Sequence, residues 1–150
     1  MLRERIKQET VAAMKAGDKP RTAALRLISA KLKDRDIEQR TASQPVEEEA
    51  LVIDTLQKMA KQRRESIQMY EEGGREELAA QERGELRVIE EFLPRQLSET
   101  ETREAIERIK AELGAGGMKD MGRVMGELKA RHGPQLDMSK ASGLVKAALA

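Results

Sequence analysis

A double glycine, Gly73-Gly74, separates two of the longest helical patterns in the chain and constrains its fold more than any other feature. Glycine enters backbone conformations that other residues avoid, so a pair of them between periodic segments reads as a stop and a turn. Upstream, from about Pro45 to Glu72, the residues Val52, Leu56, Met59, Ile67 and Tyr70 fall on one helical face at about 100° per residue. Downstream, from about Arg75 to Leu93, Leu78, Leu86, Ile89, Phe92 and Leu93 do the same. Two helices joined by so short a turn form an antiparallel hairpin. Arg63 then faces roughly position 84 across the hairpin. Arg63 sits inside the first apolar stripe, and Glu82 and Glu85 sit inside the second. The register therefore pairs three charges that are each misplaced alone.

This cluster has two readings. As structure, it is an interhelical ion pair that fixes how the hairpin packs, and arginine suits that because its planar fork can meet two carboxylates. As chemistry, Glu82 or Glu85 would serve as a base, but no partner nucleophile or cofactor site accompanies them. The structural reading is preferred.

Composition supports an all-α fold. Only Tyr70 and Phe92 are aromatic, and the core must come from Leu, Ile, Val, Met and Ala. Charged residues make up 37% of the chain and hydrophobic ones 39%, which suits thin amphipathic helices with wide solvated faces. The 28 basic and 27 acidic residues nearly cancel, so any nucleic-acid contact must come from local patches. Without cysteine there are no disulfides, thiolate nucleophiles or Cys-based metal sites, which fits a cytoplasmic protein. No apolar run at the start or elsewhere suggests a signal peptide or membrane span, so a soluble protein is expected.

Along the chain, a first helix over 2–16 ends at Gly17, and Asp18 caps a second that runs to about Gln39. Pro45 suits the opening turn of the third, with Glu47, Glu48 and Glu49 favouring its N-terminus. Pro94 ends the fourth helix. The expected boundary therefore divides a four-helix lobe, 1–94, from a three-helix lobe, 95–150. Ser98 to Glu101 reads as a capping box for the fifth helix. A glycine-rich turn over 114–117, a sixth helix closed by His132-Gly133-Pro134, and a seventh starting at Asp137 or Ser139 complete the chain.

The outward face of the third helix carries Gln57, Lys58, Lys61, Arg64 and Gln68, interrupted by Glu65. Such a run is commonly just a solvated face. Its functional reading is a surface that follows an RNA backbone through phosphate contacts. His132 alone cannot build a triad or a His-rich metal site, and its position at a helix end suits the helix dipole. The glycine-rich turn lacks the preceding strand and the Gly-Lys-Ser/Thr of a phosphate loop. No catalytic residue, cofactor or metal site is therefore assigned. The methionines Met118, Met121, Met125 and Met138 read as core filler before a docking groove.

Several segments together resemble the YqeY family, whose domain is shared with the tail of the B subunit of tRNA-dependent amidotransferases. They are Lys58 to Ser66, Tyr70, Gly74-Arg75, Leu78-Ala79, Glu82, Glu85-Leu86, Phe92 to Leu97, Asp120 to Gly126 and Gly133 to Asp137. Leu136 departs from the pattern, standing where the family usually has a small residue. The resemblance implies two helical lobes and a protein that helps hold tRNA, with ATP binding and amidation belonging to separate domains of the fused relatives. The expected function is thus a stand-alone, non-enzymatic RNA-interaction module. Its phosphate contacts would be Lys58, Lys61, Arg64 and Arg75, with Arg26, Lys119, Arg123 and Lys129 in support. The alternative is a protein-interaction adaptor for a tRNA amidotransferase or aminoacyl-tRNA synthetase. A carbon–nitrogen ligase using glutamine as amido donor ranks third, by family label alone. Oligomeric state is left open.

Overall fold

The computed structural model describes residues 1–150. Its helices are α1 (Leu2–Ala16), α2 (Lys19–Gln39), α3 (Glu48–Glu72), α4 (Glu76–Glu91), α5 (Glu99–Leu113), α6 (Met121–His132) and α7 (Met138–Leu149). Short 3-10 turns occupy Met118–Asp120 and Gly133–Gln135, and there is no strand. The fold is all-α. None of the helices is long and apolar enough to cross a membrane. The chain divides into two compact units, Met1–Leu93 and Pro94–Ala150.

In the first unit, Gly17 ends α1 at φ 71°, and Asp18 Oδ1 accepts from the Arg21 backbone N–H at 3.1 Å to open α2. The start of α3 differs from the expectation. Pro45 lies outside the helix, and Glu47 is its N-cap, accepting from the backbone N–H groups of Glu49 and Ala50. Val46 lies before the helix, and its N–H donates to Gln39 Oε1 at 2.8 Å, which ties the loop back to α2. The end of α4 also falls short of Leu93. Phe92 and Leu93 instead close a tighter turn onto Ile89 and Glu90, as expected where Pro94 keeps the preceding residue out of the helical region.

That turn drives Phe92 and Leu93 into the core, where they meet Ile6 and Ala13 of α1, Leu25, Ile28 and Leu32 of α2, and Val52, Leu56, Met59 and Ala60 of α3. Phe92, the only phenylalanine, is fully enclosed, and the Arg5 guanidinium lies 5.0 Å from its ring centroid. The apolar core of α3 stops at Ala60. Farther along, Ile67 and Tyr70 are only half-buried, and Met69 is 71% exposed.

The second unit is pinned by polar caps around a small apolar core of Ile106, Ile109, Val124, Leu128, Leu136 and Val145. Ser98 and Glu101 form the capping box. Lys110 Nζ donates to Ala148 O and Arg123 Nη2 to Leu113 O, both at 2.8 Å, satisfying carbonyls at the ends of α7 and α5. The buried Asp120 accepts from the Gly116 N–H at 3.1 Å and holds the glycine-rich turn. Leu136, 4% exposed and in extended backbone, is part of this core, and Asp137 caps α7. The unusual side chain at 136 is thus a packing residue.

Arg95 grips Glu101 through two 2.9 Å hydrogen bonds, and with the Ser98 backbone N–H it holds the Glu101 carboxyl at a pKa of about 2. A depressed carboxylate pKa contributes stability above the ordinary glutamate range that is lost as pH falls through the folded value. Urea unfolding of Glu101→Gln should show less stability than wild type at pH 7, with the gap closing as pH falls from about 4.5 toward 2.

Candidate nucleic-acid interface

The hairpin of α3 and α4 presents two chemically distinct faces. On the inner one, Arg63 Nε lies 3.1 Å from Glu82 Oε2 and 2.8 Å from Glu85 Oε2. The three side chains are 18–20% exposed. Proximity is not matched by orientation, because the buried Arg63 Nε and Glu82 Oε2 make no well-aimed hydrogen bond. The Glu82 pKa is accordingly raised. Burial is the main cause, and a hydrogen bond from the protonated Glu82 to Glu85 and the Glu85 charge add to it, while the attraction of Arg63 is too weak to reverse it. Arg83 spans the glycine turn, bonding Glu71 of α3 and, at 2.7 Å, Glu76 of α4. Gly74, at φ 71°, makes that turn possible.

On the outer face, the expected phosphate contacts separate into groups. Lys58 and Lys61 lie three residues apart on α3, so they share a face. Lys61 is exposed and forms no ion pair, whereas Lys58 is 63% exposed and sits 3.1 Å from Asp54. Gln68 donates to Glu72 at 3.1 Å. Arg64 leans toward α4, with Nη2 3.7 Å from Glu90. Arg75 is exposed at the N-cap of α4, and Arg26 is exposed on α2 with Nη2 3.7 Å from Met14 Sδ. In the second unit Lys119 and Lys129 are exposed without ion pairs, while Arg123 contacts Asp120 at 3.6 Å besides capping α5. Within the first unit, Lys58 and Lys61 are the clearest adjacent pair.

Other charged networks carry no local sequence signal. Arg3 pairs with Asp36 at 2.8 Å and with Glu48, joining α1, α2 and α3. Arg21 joins Glu9 and Glu91, and Arg35 reaches Asp54. These partners lie between 12 and 70 residues apart, so only the tertiary fold reveals them.

A shallow groove of about 610 Å³ lies between α2 and α4, lined by Pro20, Ala23, Ala80, Gly84 and Val88 among others. Of its charged neighbours, Asp18, Arg21, Glu85 and Glu91 are engaged in a helix cap or ion pairs, and Arg87 is exposed at its edge. No three His, Asp or Glu side chains converge to hold a metal ion.

The protein family described as Yqey-like protein matches residues 3–149, nearly the whole chain. No curated protein matches it.

The inner face should govern stability and the outer face should not. Arg63→Ala should cost about 3 kcal/mol, because it leaves two half-buried carboxylates without a cation. Lys61→Ala should stay within about 0.5 kcal/mol of wild type, as surface substitutions usually do. Thermal denaturation of both variants under identical conditions measures the contrast.

Proposed function

This chain belongs to the YqeY-like family, and we propose that it is a cytoplasmic, non-catalytic module that holds RNA, tRNA in particular, by its phosphate backbone. The observation that carries the proposal is the outward pair on α3: Lys58 and Lys61 point away from the Arg63 cluster, and Lys61 has no intramolecular partner. Exposed lysines act as point charges toward phosphate and gain affinity by releasing counterions, without needing a pocket. Lys119 and Lys129 offer the same chemistry in the second unit, and Arg75 and Arg26 add cations in the first. Arg64 and Arg123 contribute less, since both also serve contacts within the protein.

Recognition of this kind reads shape and charge. Base stacking needs exposed aromatic platforms, but Phe92 is enclosed and Tyr70 is half-buried against the hairpin. Carbon–nitrogen ligation would need an ATP site and an acyl-activating cluster, which none of the side-chain groups described above supplies. A second reading, an adaptor that docks on a tRNA amidotransferase or aminoacyl-tRNA synthetase, draws support from Met118 and Met138. Both are exposed in the second unit, and methionine adapts to varied partner surfaces.

Binding of bulk tRNA across a salt series separates these readings. Phosphate contact requires log affinity to fall linearly with log salt, and removing one contacting lysine should make the slope shallower by about 1. Lys61→Ala should therefore weaken binding and flatten the slope, with Lys58→Ala/Lys61→Ala flatter still. Absence of tRNA binding at low salt would favour the adaptor, and glutamine- and ATP-dependent amidation by the purified chain would contradict the non-catalytic reading.

A further inference from the structure

Two carboxylates and one guanidinium meet between α3 and α4, so this cluster carries one negative charge more than it balances. Arg63 Nε bears a single hydrogen, yet Glu82 Oε2 and Glu85 Oε2 both crowd that nitrogen. One N–H cannot satisfy both, and the buried Nε and Glu82 Oε2 are left without a well-aimed hydrogen bond. The nearby arginines do not relieve the excess charge. Arg83 turns away to Glu71 and Glu76, and Arg64 is 3.7 Å from Glu90. No charged group of α2, which also packs on α4, contributes to the field at Glu82; Arg63 and Glu85 supply it.

We infer that Glu82 and Glu85 share one proton, which makes the α3–α4 hairpin a pH-responsive joint that tightens as the pair takes up that proton. The proton comes from solvent, resides on the Glu82 carboxyl and is donated to the Glu85 carboxylate. Arg63 then balances the one remaining negative charge. Like-charged carboxylates held this close cannot both ionise freely, and partial burial strengthens the penalty. The upward displacement of the Glu82 pKa agrees with this arrangement.

The sign of the effect follows from proton linkage. A carboxyl whose folded pKa lies above its unfolded value binds more protons when folded, so its contribution to stability is lost as pH rises through the folded value. Because the Glu85 charge is part of what raises Glu82, replacing Glu85 should release the Glu82 carboxyl.

The test is a carbon-13 NMR titration of the glutamate side-chain carboxyls in wild type and in Glu85→Gln, with Glu82→Gln for assignment. The Glu82 midpoint should lie above the ordinary glutamate range in wild type and move down in Glu85→Gln. Urea midpoints give a second readout. Between the ordinary glutamate range and neutrality, wild-type stability should decline with rising pH more steeply than that of Glu82→Gln. A wild-type Glu82 midpoint at or below the ordinary range, or one unmoved by Glu85→Gln, would overturn the inference. If Glu85→Gln does not fold, parallel pH profiles for wild type and Glu82→Gln would overturn it equally.

Discussion

The hairpin of α3 and α4 depends on a charge standing where an apolar side chain would be expected. Buried apolar packing along α3 ends at Ala60, and Arg63 follows one turn later, against Glu82 and Glu85. From there to the glycine turn, charged pairs do much of the work of fixing one helix against the other, with Arg83 binding Glu71 and Glu76. Ala79 lets the helices pack closely, while Ile67, Tyr70 and Leu78 bury only part of their surface. Replacing a buried ion pair with apolar residues is often neutral or stabilising, so such a pair is better suited to specifying register than to adding net stability. Here the observed register sets Arg63 against both carboxylates at once.

That division of labour frees the outward face. Charges facing inward are consumed by the fold, as are many surface arginines: Arg3, Arg21 and Arg35 join helices, and Arg95 and Arg131 brace the second unit. The uncommitted cations among the expected contacts are chiefly lysines, including Lys61, Lys119 and Lys129. This contrast has a chemical basis. Arginine's fork holds a carboxylate in fixed geometry, whereas a flexible ammonium approaches a phosphate from many directions. A surface that follows an RNA backbone needs the second behaviour more than the first.

Much of this architecture was legible because the signals are local. Gly17 and Gly114 take the left-handed conformation that ends α1 and α5, the Ser98 box opens α5, and the 3.6-residue period placed Arg63 opposite its acids. Local signals failed where a distant group intervened. Pro45 looked like a helix opener, but Glu47 caps α3, and the loop before it is tied back to Gln39. Periodicity also placed Ile67 and Tyr70 on the inward stripe, but it cannot show how many neighbours cover that stripe, and both remain half-exposed. Arg64 and Arg123 looked like open cations, and each turned out to have work within its own unit. A helical wheel shows direction around an axis; it does not show what stands opposite.

Native-state hydrogen exchange tests most directly whether the Arg63 cluster holds the distal hairpin. In Arg63→Met, which keeps an unbranched apolar stem but removes the charge, backbone amides between Ile67 and Glu85 should exchange faster than in wild type. Amides of Leu25, Ile28, Val52 and Leu56 should keep most of their protection, because their core does not include Arg63. Equal loss of protection across both sets, or no change between Ile67 and Glu85, would contradict the claim that this ion cluster fixes the hairpin.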